Sequence, residues 1–254
     1  MALAAWLASV VLIVVLPNLL LLPYLMAQKA PFGNSQQLFE FIVSDPIAII
    51  INVLAIFPAH ALTIILSWLI VTRFRRYDFR RTLGWETGGV KWWHYLAILF
   101  AFFVVGSIVT SSFPEQENDL TRILKSSRTA VYLVALMATF TAPIVEEVIY
   151  RGILYSAFQR TFNAPMAVAI VTFLFALVHV PQYYPSYSTI LLLTLLSLVL
   201  TLMRAFSGNL LPCIILHFLF NGLQSALLIA EPWFPQTQAP TTPDPIGFFI
   251  HLIK

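Results

Sequence analysis

The chain has 254 residues, of which 59% are hydrophobic and only 10% charged, with a formal net charge of +3 and a mean hydropathy of +0.86. That balance lies far outside the range of soluble globular domains. The single cysteine, Cys213, excludes an intramolecular disulfide and a multi-cysteine metal cluster. The positive charge is concentrated in "RFRRYDFRR", beside apolar runs, and so points to membrane topology rather than to nucleic acid.

Apolar runs at 3–27, 47–72, 92–112, 129–158, 164–180, 189–206 and 209–230 approach or exceed the roughly 20 residues that cross a bilayer core. They predict an all-α fold, a polytopic transmembrane helical bundle of about seven spans. The first run lacks the basic n-region of a signal peptide and stays apolar for longer than a typical h-region, so it reads as a retained span. Asp45-Pro46 opens the second run as an N-cap followed by a first-turn proline. Pro17, Pro23 and Pro58 fall inside runs, where kinks are expected, and His60 reads as a packed or pore-facing polar residue. Arg73, Arg75, Arg76, Arg80 and Arg81 place the loop after the second span in the cytoplasm; the acidic "FPEQENDL" after the third falls opposite, and the N-terminus is then cytoplasmic. The chain is thereby expected to be a multi-pass protein of a plasma or inner membrane. His94, beside Trp92, Trp93 and Tyr95, belongs to an interfacial aromatic belt. Three parts result: N-terminal transmembrane helices with the basic loop (1–128), a helical core (129–230) and a tail (231–254). The tail is a proline- and threonine-rich flexible connector followed by "IGFFIHLIK", suited to the interface.

Between Arg128 and Gly208 the formal charges are Glu146, Glu147, Arg151, Arg160 and Arg204. A charge at the bilayer centre costs roughly 2.5 to 3.5 kcal/mol on insertion scales, so the first three demand partners or a water-filled cavity. Glu147 and Arg151 have the spacing and acid-first order of a favourable helical pair. Glu146 points about 100° away around the helix and is left for another neighbour. Phe175 and His179 share a helix face at i,i+4, as do His217 and Asn221. A carboxylate, two imidazoles and a carboxamide can thus converge from three helices, a set able to take a proton from attacking water and to hold an oxyanion. One spacing opposes this. With Glu146 late in the fourth run and His179 late in the fifth, antiparallel neighbours meet only if one helix is long, tilted or re-entrant.

Plainer readings stand beside these. The charged trio could be an ion pair with one snorkelling acid, His217 and Asn221 interhelical hydrogen-bond glue, and His179 a helix-end cap. Cys213 lies on the face of His217, yet a lone cysteine in an apolar helix ordinarily behaves as a small hydrophobe. The tyrosines of "YYPSY" at 183–187 read as interface anchors or as a substrate-facing lip. A proton-coupled transporter is disfavoured by the absence of internal repeats.

Three motifs, Glu146-Glu147-Val-Ile-Tyr-Arg151, Phe175-Ala-Leu-Val-His179 and His217-Phe-Leu-Phe-Asn221, resemble in order the EExxxR, FxxxH and HxxxN fingerprint of the CPBP intramembrane proteases, the CAAX-processing or Abi family. The resemblance covers about residues 130–225. It implies that the 129–230 part is a catalytic core and the chain an intramembrane endopeptidase. Glu146 matches the catalytic glutamate, His179 its partner in positioning water, and His217 with Asn221 the oxyanion-stabilising pair; Glu147, Arg151 and Phe175 are supporting residues. The implied partners are the lipid bilayer and a peptide or lipidated-protein substrate, with no nucleic acid. Non-catalytic scaffolds and bacteriocin self-immunity proteins of the same fold are the alternative. The family has also been described as metalloproteases, and Glu146, His179 and His217 would supply three zinc ligands with an open position. The chain contains no HExxH, and a metal-bound Glu146 would leave no free general base while Glu147 serves Arg151, so the reading without a cofactor is favoured.

Overall fold

Asp45 and Pro46 start a helix in the way their chemistry requires. Asp45 Oδ1 accepts from the N–H groups of Ile47 and Ala48 at 2.8 and 2.9 Å, and the Tyr24 hydroxyl donates to the same carboxylate at 3.1 Å. The helix so begun, α3 (Pro46–Thr72), pairs with α1 (Ala2–Ala27), and neither is interrupted at Pro17, Pro23 or Pro58. Between them lies the short α2 (Ser35–Ser44), capped by Asn34. The arginine-rich loop ends in the short α4 (Phe79–Leu83), which carries Arg80 and Arg81, and α5 (Trp92–Ser112) and α6 (Asp119–Ser126) follow.

This computed structural model describes residues 1–233; the rest of the connector and the apolar end at 246–254 lie outside the described residues. Among the described residues seven helices are long and apolar enough to cross a membrane, in agreement with the seven runs. Large apolar side chains such as Val14, Ile65, Phe100 and Phe173 are exposed on their outer faces, as helices surrounded by lipid require.

The fourth span is the longest, 34 residues from Arg128 to Thr161. It consists of α7 (Arg128–Leu136), α8 (Ala142–Glu147) and α9 (Tyr155–Thr161), joined by π-helical stretches at Met137–Thr141 and Val148–Leu154. Pro143 accounts for the first stretch. It has no N–H for the carbonyl four residues back and its ring crowds that carbonyl, a misfit that a wider turn absorbs. The bundle is completed by α10 (Ala164–Tyr183), α11 (Tyr187–Ser207) and α12 (Leu211–Ala230).

The length of this helix removes the offset that sequence spacing raises. Glu146 stands fifteen residues before the end of α9 and His179 fifteen after the start of α10. In a helical hairpin, equal distances from the turn mean equal height. The same holds for Thr201 and His217, each six residues from the helix ends that flank the next turn. The earlier helices brace these: Trp6 Nε1 of α1 donates to the Tyr150 hydroxyl at 3.1 Å, and Leu83 of α4 packs with Val148, Leu210 and Ile214.

Gly84 ends α4 at φ +78°, and its carbonyl accepts from the N–H groups of Leu210 at 2.7 Å and Leu211 at 3.3 Å. A Cβ at this position would lie 2.7 Å from Asn209 Oδ1 and 3.0 Å from Asn209 Cα. Gly84→Ala is therefore expected to destabilise the protein by about 2 kcal/mol, read as a lowered melting temperature in detergent. Gly33→Ala, with nothing within 4 Å of its Cβ, should leave the melting temperature nearly unchanged.

Candidate active site

Glu146 from α8, Phe175 and His179 from α10, and His217 and Asn221 from α12 line one cavity of about 180 Å³. Helices outside the motifs complete it. Phe102 of α5, Leu120 of α6 and Leu196 of α11 supply apolar wall, while Gln182, Tyr183 and Thr189 line it beside the α10–α11 turn. Glu147 and Arg151 stand behind this surface.

The pair of Glu147 and Arg151 forms as its spacing predicts, with Nη1 to Oε1 at 2.8 Å and both side chains 0% exposed. The guanidinium then reaches α11, donating from Nη2 to Ser197 O at 2.9 Å and Ser197 Oγ at 2.8 Å and from Nε to Thr201 Oγ1 at 3.1 Å. Its Cζ lies 4.8 Å from the centre of the Phe175 ring. Spacing alone leaves one contact unforeseen: His217 Nδ1 donates to the same Glu147 Oε1 at 2.8 Å.

These bonds fix the imidazoles. A carboxylate only accepts, so the Nδ1 of His217 carries a proton and its Nε2 faces Glu146 Oε2 at 3.9 Å. That separation is too long for a direct hydrogen bond and short enough for one shared water. His179 Nδ1 lies 2.7 Å from the Phe175 carbonyl oxygen, which also only accepts, so the neutral ring keeps its lone pair on Nε2. The His179 ring stacks on Phe175 with centroids 4.5 Å apart. Asn221 Nδ2 donates to Ala138 O at 2.8 Å, which holds its amide plane and leaves a second N–H.

Of the residues singled out by sequence, Glu146, His179, His217, Asn221 and Phe175 meet in the cavity, and Glu147 and Arg151 support it from behind. Sequence reasoning gave His60 little part near the site, yet its Nδ1 is 2.9 Å from Thr141 Oγ1 in the fourth span. Its one signal was a polar side chain within an apolar run. Cys213 is fully buried among Leu200 and Leu216 with Sγ 3.4 Å from Leu200 O, and is no part of the cavity wall. Among the described residues no three His, Cys, Asp or Glu side chains are grouped as ligands for a metal ion. The alternative zinc set of Glu146, His179 and His217 is not gathered into such a group.

The fold and cavity define a class: a polytopic helical bundle with an acid, two imidazoles and a carboxamide gathered at one level inside it. Residues 128–223 match the family described as Rce1-like, type II CAAX prenyl endopeptidase Rce1-like, and all three motifs fall within that segment. No curated protein and no solved structure matches the chain.

Arg151→Leu leaves Glu147 buried beside His217 without its cation, and is expected to cost about 3–5 kcal/mol, seen as lost folded protein in detergent. Pairing it with Glu147→Leu should recover part of that loss. A second prediction concerns Glu115, in the loop between α5 and α6. Its Oε1 accepts from Thr189 Oγ1 at 3.0 Å, and burial, opposed by that bond, pushes the carboxyl from its ordinary 4.5 up to about 7. An acid whose folded value is raised adds stability that is complete below the unfolded value and is lost as pH rises through the folded one. The melting temperature should thus fall between pH 4.5 and about 7, and Glu115→Gln should flatten that portion of the profile.

Proposed function

We propose that the chain is an intramembrane endopeptidase that hydrolyses peptide bonds in membrane-associated substrates, with the arginine-rich loop and the N-terminus on the cytoplasmic side. Glu146 is the general base and takes a proton from water. His179, through the lone pair on Nε2, holds that water on the line of attack. As the carbonyl carbon becomes tetrahedral, its oxygen turns negative and is received by the free N–H of Asn221. His217 adds a second donor as the imidazolium, because its Nδ1–H is committed to Glu147 and only a doubly protonated ring can donate from Nε2. The proton held by Glu146 passes to the departing amine, which restores the carboxylate. The matched family points to a lipidated C-terminal peptide as substrate.

The observation that carries this reading is the single cavity shared by Glu146, His179, His217 and Asn221, with the acid and one imidazole 3.9 Å apart. The test is cleavage of fluorogenic farnesylated and unprenylated peptide libraries by purified protein in detergent. Glu146→Ala should slow turnover by about 10²–10⁴-fold while the protein stays folded. Cys213→Ala and a chelator should each leave the rate unchanged. Turnover that survives in Glu146→Ala would refute the assignment, and loss of turnover on chelation would require a metal in it.

A further inference from the structure

The first wide turn of the fourth span carries a consequence for the cavity. Within Met137–Thr141 the backbone is in i→i+5 register, and the N–H of Ala142 bonds to Met137 O. The next carbonyl, that of Ala138, would in the same register take its hydrogen from residue 143. That residue is Pro143, buried and without an N–H. In an apolar bundle a carbonyl left without a donor is costly, and Ala138 O receives its hydrogen from Asn221 Nδ2 at 2.8 Å.

Resting on the reading of Asn221 as an oxyanion donor, we propose that Pro143 is a positioning residue for it: by offering no N–H, it reserves the Ala138 carbonyl as the anchor that aims the Asn221 amide into the cavity. Pro143 touches no reacting atom in this scheme. It acts through one carbonyl and one side chain. With an N–H at 143, the backbone closes on Ala138 O, either by extending the wide turn or by reverting to the ordinary register, in which Ala142 bonds there. Asn221 is then released to rotate. The Thr139 hydroxyl, which donates to Ser225 Oγ at 2.9 Å, ties the same stretch to α12 one turn further on and keeps the two helices together in the variant.

The test uses the full chain in detergent with a fluorogenic farnesylated CaaX peptide as probe. Pro143→Ala should lower kcat by about 10- to 100-fold, the loss expected for one misaimed donor, with KM within about twofold. Its melting temperature should hold or rise, because a proline has left a helix interior. Adding Asn221→Ala to Pro143→Ala should give a rate no lower than Asn221→Ala alone. Lactic acid placed at 143 by nonsense suppression has the alanine side chain but an ester oxygen instead of N–H, and should restore most of kcat. A carbonyl can accept twice, so a Pro143→Ala enzyme with full kcat beside a slow Asn221→Ala overturns this inference and leaves the protease reading intact. A lactate variant as slow as the alanine one also overturns it, since the ring rather than the missing donor would then matter. Full turnover in Asn221→Ala, or no cleavage by the wild type, sinks the underlying reading and this inference with it.

Discussion

A carboxylate with no contact with solvent is tenable inside an apolar bundle only where donors surround it, and Glu147 gathers its donors on one oxygen. Oε1 receives the guanidinium of Arg151 and the ring N–H of His217, each at 2.8 Å. Because Arg151 also reaches Ser197 and Thr201 and lies over Phe175, one ion pair fixes the relative heights of the fourth span, α10, α11 and α12. Such a pair is a poor source of net stability, since two apolar side chains of similar volume are often as good. Its contribution here is directional. It holds the His217 ring so that Nε2 faces Glu146.

Backbone groups impose the second constraint, because no water within a bilayer core relieves a carbonyl left without a donor. Each π-helical stretch in the fourth span contains a carbonyl that accepts from a side chain of a neighbouring helix. After Ala142 N–H bonds to Met137 O, the next carbonyl goes to Asn221 of α12. After Tyr155 N–H bonds to Tyr150 O, the next carbonyl, of Arg151, accepts from Arg204 Nε of α11 at 3.2 Å. Asn221 and Arg204 thus answer irregularities in a helix other than their own. Between the two stretches, α8 is only six residues long and ends in Glu146 and Glu147.

The seven spans were legible because runs of apolar residues long enough to cross a bilayer have few other uses, and Asp45-Pro46 marked a helix start through two independent local preferences. The shared faces of Phe175 with His179 and of His217 with Asn221 followed from helical spacing alone. The meeting of Glu146 with His179 was not legible, because hydropathy does not report where a helix ends. The bond from His217 to Glu147 was hidden by treating a carboxylate as spent once Arg151 had claimed it, although one oxygen can accept twice. Trp6 and Tyr150, or His60 and Thr141, are paired only by the packing of distant helices. Glu115 sat in an acidic loop that read as a topology signal, and nothing local marks it as lying against Thr189.

Two histidines at one cavity need different environments if they are to do different work, and the acceptors on their Nδ1 atoms supply the difference. His179 donates to a carbonyl, the neutral oxygen of Phe175 in its own helix. That bond sets the tautomer and orients Nε2 as an acceptor. His217 donates to a carboxylate that is itself shared with a guanidinium, and Glu146 lies on its other side. The ring of His217 thus has a carboxylate on each of its two nitrogens. In the proposed reaction the proton-poor imidazole therefore belongs beside the attacking water, where an acceptor is needed. The ring set between two carboxylates belongs beside the oxygen that becomes negative, where a donor is needed.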